Sequence, residues 1–379
     1  MGEKKHLDEK DVRKLISTNR KDLQPFFEMV DAFNLMFGNL LSERVLGIKV
    51  RTKILLIPDL TFNLSARQKP QKRIGLNLGV IPLTQALVSN VSKLKFVCKD
   101  IPFDKSFDQE KAVNNIADIF NAFYYRMDNY ELEDNHISEL LDVSDLGLRN
   151  NLAYSLFKKT FYFLLLHEYA HLQCRHSSRM KQKSVCEFNV NPNEQGECNE
   201  SDIIKRQWSE LEADHLGADL MIEMLKIIDY PIPEQKPRLI NENEAKELRQ
   251  VIFIIGLLFL LFSYHPNEET SIASYRKGTH PHPCVRMVNV FDVLANYISA
   301  AYLIDMQSIC DVMSDALVML ITLSRTLGIQ EFDVIETSLD EIRTELSYLQ
   351  SNVGKSWIDT SNHFIIETIV RVRKGIALV

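Results

Sequence analysis

The chain has 379 residues, 45% hydrophobic and 25% charged, which is the composition of a folded protein with a sizeable core, and the length of two to three domains at about 150 residues each. Its net charge of −7 and the lack of any Lys/Arg-rich block exclude a nucleic-acid footprint. Six cysteines without C-x-x-C spacing make a poor disulfide framework and suit a reducing compartment.

The first residues, MGEKKHLDEKDVRK, contain no apolar stretch of the secretory kind, and His6 stands where a myristoylation signal carries Ser or Thr. Residues 1–20 are expected as a charged segment, frayed or a short helix. Helical spacing begins at 25–46, with Pro25 near its start. Residues 49–64 turn to β-branched alternation broken at Pro58-Asp59, and 73–81 reads as a second extended stretch ending at Pro82. These are the only clear β signals. A helix is expected around 83–94, another over 107–129, and an acidic linker over 131–145. A long helix follows at 148–175, then a polar loop at 177–201 whose length suits a functional or mobile segment. Further helices are predicted at 203–228, 242–264, 285–303, 306–327 and 332–349, with Asn241 and Glu244 as a capping box, before a short C-terminal segment ending VRVRKGIALV.

The pattern predicts an α+β, predominantly helical fold with a small N-terminal sheet and additional C-terminal helices. The division is 1–20 as a charged segment, 21–303 as the main domain and 304–379 as a helical extension. The most apolar run, 251–264, is ~14 residues, against about 20 needed to cross a bilayer, so it is read as a buried core helix. A cytoplasmic location is expected and membrane association is not favoured.

The 148–175 helix carries the chemistry. His167, Glu168 and His171 form H-E-x-x-H inside FYFLLLHEYAHLQCRH. Side chains four apart lie on one helical face, so the two histidines can chelate one metal, with Glu168 placed beside it as the general base for a metal-activated water. Ala153, Phe157, Thr160 and Leu164 precede them in steps of four and three, which puts the histidines on a core-facing stripe.

A hydrolytic zinc site takes three protein ligands and one open position. Extension to H-E-x-x-H-x-x-G-x-x-H fails, because Cys174 and Ser177 occupy the glycine and histidine places and His176 is one residue short. Cys174, Cys186 and Cys198 are too far apart, and thiolates favour a closed structural site. The helical stretch WSELEADHLGADL offers Glu210 and Glu212. Glu210 has a carboxylate, Asp214, four residues on, whereas Glu212 has Leu216 there. Glu210 as ligand with Asp214 behind one histidine satisfies both shells from one helix. His215 and Asp219 are left to surface or capping work.

Downstream, GTHPHPCVRM is extended by its two X-Pro steps, so His280 or His282 can be aimed from a loop into the site as a donor to the oxyanion, with Arg286 opening the next helix.

These segments, HEYAHLQCRH at 167–176, ELEADHLGADLM at 210–221 and HPHPCVR at 280–286, together resemble the HtpX-like metallopeptidases, which include the CAAX-prenyl proteases. Those proteins carry H-E-x-x-H, then E-x-x-A-D followed by Gly, then His-Pro with Arg six residues after the His. The chain is also similar to the soluble phage-exclusion (Lit-type) peptidases. The resemblance implies a zincin-like, gluzincin fold and a metalloendopeptidase holding one Zn²⁺ per chain on His167, His171 and Glu210. It implies Glu168 and His280 as the catalytic groups, with Asp214 and Arg286 behind the ligands. It implies a protein or peptide substrate, with residues 73–87 as the substrate-side edge strand, and leaves room for an activating partner. A catalytically silent zincin-fold regulatory protein is the competing expectation.

Overall fold

The computed structural model describes residues 30–31, 34–35, 43–45, 48–50, 52–57, 64–68, 72–77, 79–97, 108–126, 148–180, 185–186, 199–231, 236–264, 271–329 and 339–376. The expected charged segment 1–20, the acidic linker 131–145 and most of the polar loop 177–201 lie outside them.

The fold is helical with a small amount of sheet, as the pattern predicts. Strands β1 (Glu43–Val45) and β2 (Ile48–Val50) pair antiparallel, so the end of the predicted 25–46 helix is strand instead. A second sheet holds β3 (Lys53–Ile57), β4 (Leu64–Arg67), β5 (Arg73–Asn77) and β6 (Val185–Cys186) in the order β3-β5-β4-β6. β5 lies parallel to β3 and antiparallel to β4, with Leu64 opposite Leu76 and Ala66 opposite Ile74 as buried cross-strand pairs. This corrects one expectation: 73–81 is not an edge. Both hydrogen-bonding sides of β5 are taken by β3 and β4, so no substrate strand can add there. The strand also stops at Asn77, and helix α1 (Val80–Val91) starts three residues earlier than expected. Pro82 is accommodated because it falls in the first turn, where a helix has no acceptor for its N–H groups.

After α2 (Gln109–Arg126) comes the central helix, α3 (Leu148–Gln173). From Lys159 to Cys174 every residue except Tyr162 is buried. This part of the helix is therefore enclosed on all sides rather than along one stripe, whereas Asn151 and Tyr154 in its first turns are exposed. The sheet and α1 cover one side of it, and α5 (Glu200–Leu225) and α6 (Glu242–Ser263) cover the others. Between α3 and α5 come Arg175, in the left-handed conformation at φ 56°, and the short helix α4 (His176–Arg179).

The apolar stretch of α6, Val251 through Leu261, is wholly buried, as expected of a core helix. Its N-terminus carries the predicted capping box. Asn241 Oδ1 accepts from Glu244 N, and a Glu244 carboxylate oxygen accepts from Asn241 N, both at 3.0 Å. Helix α7 (Pro283–Tyr302) is followed by α8 (Met306–Leu327), and among the described residues only α8 is long and apolar enough to cross a membrane by length and composition. Its Ile309, Ala316, Leu320 and Leu323 are buried, and it packs along α6 at Gly256, where a Cβ would collide with Leu320.

Helices α9 (Leu339–Val353) and α10 (Lys355–Ile376) close the chain. The short C-terminal segment of the sequence reading is instead a 22-residue helix. Ile342, Ile365, Ile369 and Val372 join the same buried cluster as the α3 residues, while Leu349 and Val353 pack on Ile204 and Leu211 of α5.

Candidate metal centre

His167 and His171 sit one turn apart on α3 and turn their Nε2 atoms toward each other at 3.0 Å. The facing helix α5 brings in Glu210, with Oε2 3.4 Å from His167 Nε2 and Oε1 3.5 Å from His171 Nε2. All three side chains are buried, and one ligand atom from each lies within 4.8 Å of the others. Glu168 is buried beside them on the same turn of α3.

The close crossing of α3 and α5 depends on Gly217. A Cβ there would lie 3.0 Å from His167 N and 3.2 Å from its Cα. The glycine that follows E-x-x-A-D is therefore what lets the backbone of α5 reach α3 at the first histidine, setting the reach of Glu210 across to it.

Each histidine is held from behind. His167 Nδ1 lies 2.9 Å from Asp214 Oδ1, and Arg286 grips Asp214 with Nε and Nη2 at 2.8 and 2.9 Å. Burial would raise the Asp214 pKa, but the charge and hydrogen bonds of Arg286, then those of His167, hold it below the usual carboxylate range. His171 Nδ1 lies 2.7 Å from His176 Nδ1, and His176 Nε2 lies 2.9 Å from Glu212 Oε2. Arg179 Nη1 is 3.5 Å from that same Glu212 oxygen. A carboxylate can only accept, so His176 Nε2 donates to Glu212 and His176 Nδ1 accepts from His171 Nδ1. The Nε2 lone pair of His171 is thereby turned to the site. Burial pushes the pKa of His176 down to about 4, which keeps it neutral as this relay requires.

Sequence reasoning placed Asp214 and Arg286 behind a ligand, and here they stand behind His167. It set His176 and Glu212 aside as ligands and did not foresee the pair as a support for His171. No sequence signal announced it: Arg175 takes a positive φ without being glycine, and the short helix that follows brings His176 against His171. His215 and Asp219 differ from the surface or capping work expected of them. Asp219 is 1% exposed and faces His215 Nε2 at 3.1 Å, because α5 is packed on that side as well.

The two loop histidines separate cleanly. His282 caps α7 by accepting from Cys284 N and packs its ring on Tyr275. His280 is the one that faces the cluster, its Nε2 3.9 Å from Glu210 Oε2, with a partly open side chain. Burial would raise the pKa of Glu210, yet the charges of His171 and His280 and the close approach of both α3 histidines hold it well below the carboxylate range.

Two imidazole nitrogens and a carboxylate, drawn together in a buried spot, suit a divalent transition metal of the zinc type. Glu210 Oε2 is buried and has no hydrogen-bond partner among the described residues, as expected of a ligand atom. Within this chain the donor set fits such an ion.

A family model described as Peptidase U49 matches residues 104–302, more than half of the chain. The chain belongs to the Peptidase U49 family. The U49 match runs from just before α2 to the end of α7 and includes His167, Glu168, His171, Glu210, Asp214, His280 and Arg286. It leaves out the sheet strands β1–β5, helix α1 and helices α8–α10. Membership supports a Lit-like peptidase, a coarser statement than the HtpX-like resemblance of the motifs. No curated protein and no solved structure matches the chain.

Proposed function

We propose that this U49 peptidase is a zinc-dependent endopeptidase acting on a protein or peptide substrate in the cytoplasm. The observation that carries the proposal is the buried cluster of His167, His171 and Glu210 with Glu168 on the same helical turn.

His167, His171 and Glu210 would hold one ion per chain. Bound there, zinc would supply Lewis acidity and bring the pKa of water down to about 7. Glu168 takes a proton from the attacking water and passes it to the leaving amine, a task that suits a carboxylate shielded from solvent. His280 is the most open of the site's histidines and lies 3.9 Å from Glu210, and its role here is to donate to the carbonyl oxygen as charge develops. Asp214 with Arg286, and Glu212 with His176, keep each ligand histidine in one tautomer.

The test separates metal from chemistry. Cells expressing wild type are compared with cells expressing Glu168→Gln for new protein N-termini, and zinc is measured on both purified proteins. Wild-type-specific cleavages with equal zinc in the two proteins are expected. Cleavage retained by Glu168→Gln would show that the base is another group. Zinc binding with no cleavage in either case would favour a silent, regulatory protein.

A further inference from the structure

The support behind His171 does not stop at Glu212. Arg179, at the end of α4, faces Glu212 on one side and α10 on the other. Its guanidinium lies 3.7 Å from the centre of the Trp357 ring. From there Nη2 donates to Trp357 O at 2.8 Å and Nη1 to Ser361 Oγ at 2.7 Å. On its other flank α4 is pinned to the sheet, since Ser178 donates to Gln68 Oε1 and Gln68 Nε2 donates to Leu172 O at 3.0 Å. Arg179 is thus fixed by stacking and by two hydrogen bonds to a helix that contributes no ligand.

We infer that Arg179 is a positioning residue for the metal ligand His171, and that the C-terminal helix α10 holds it in place. The path runs from Trp357 and Ser361 to Arg179, then Glu212, His176 and His171, with every member named by a contact. It mirrors the shorter path from Arg286 through Asp214 to His167. In both, an arginine fixes a carboxylate and the carboxylate fixes the proton on an imidazole. The difference is that α10 lies beyond the family-matched residues, so this second path ties the ligand to a part of the chain outside them. A change that lifts α10 away would loosen His171 and weaken the hold on the metal.

The inference rests on the proposed metal centre, and its test keeps the two apart. Zinc is titrated into metal-free full-length protein against a chromophoric chelator, for wild type, Arg179→Met, Arg179→Lys, Glu212→Gln and Arg373→Gln. Folding of each is checked by circular dichroism, and cobalt(II) spectra report the ligand field. Arg179→Met keeps an apolar stem against Trp357, and Glu212→Gln keeps shape, so at least one of the two should fold. Both are expected to bind zinc about 10–100-fold more weakly than wild type, with shifted cobalt bands, and Arg179→Lys to recover part of the loss. Arg373→Gln, at the far end of α10, is expected to lower the melting temperature while leaving zinc affinity within about twofold. Unchanged affinity in folded Arg179→Met or Glu212→Gln overturns the inference. So does an equal loss in Arg373→Gln, which would mean general loosening of the helix. Failure of the wild type to bind zinc overturns the metal centre itself.

Discussion

At the scale of single residues, the site is built on two imidazoles whose inner nitrogens face Glu210, while the outer nitrogen of His167 meets Asp214 and that of His171 meets the His176 ring. Gly217 sets how closely the two helices bearing these groups can approach. Replacing a helical glycine by alanine ordinarily favours the helix by about 1 kcal/mol. Here the new methyl would meet His167 N at 3.0 Å, and a backbone atom cannot swing aside as a side chain can. Overpacking of this kind costs roughly 1–3 kcal/mol, so the cost wins. Gly217→Ala is therefore expected to lower the melting temperature and weaken zinc binding, and calorimetry with a zinc titration checks both. The group of His167, His171 and Glu210 was legible in the chain because helical spacing alone places His167 beside His171 and Asp214 beside Glu210. His176 and Glu212 were not, because their meeting depends on a left-handed turn at Arg175 that no glycine announces.

At the scale of elements, α6 shows local rules and burial agreeing. Its capping box stands where Asn241 and Glu244 predict it, and its apolar run is long enough to fill a core without spanning a bilayer. Glu244 also accepts from Asp229 N and from Arg238, so the cap fastens the preceding loop as well. Asn241→Ala should cost about 1 kcal/mol, read as a small drop in the denaturation midpoint at constant slope. The C-terminal extension is helical as expected, but the length of its last helix was missed. Its end, VRVRK, alternates with a period of two and so gives no helical signal. The burial that decides the matter falls on Ser361, Ile365, Thr368, Ile369 and Val372, a helical stripe reaching back a full three turns. The β5 expectation failed differently. The strand was found, but which strands pair on either side is a long-range property that no short pattern in 73–81 encodes.

At the scale of the whole molecule, α5 is the axis that binds the parts together. Near its start it meets α9, in its middle it supplies Glu210, and near its end Glu223 gathers α7 and α10. The Glu223 carboxylate accepts from Tyr230, Tyr297 and Tyr302, the last at 2.7 Å, and from Arg373 at 2.8 Å. Burial would raise its pKa, but Arg373 and then the tyrosine hydroxyls bring it below the ordinary 4.5. The folded state therefore favours the charged form. Stability from this group is fully present above about pH 4.5 and is lost as pH falls through the lower folded value. Glu223→Gln is expected to cost about 2–3 kcal/mol at neutral pH and to flatten the fall in stability on the acid side of pH 4.5, measured by denaturant titration across pH.

On the proposed function, α3 and α5 together hold one zinc ion through His167, His171 and Glu210. Metal analysis of purified wild type and Glu210→Ala is the decisive measurement, because Glu210 is the proposed ligand on the second helix. The expected result is close to one zinc per chain in the wild type and little in the variant, with both proteins folded. A folded wild type without zinc, or a Glu210→Ala protein that holds zinc as tightly as the wild type, would contradict it.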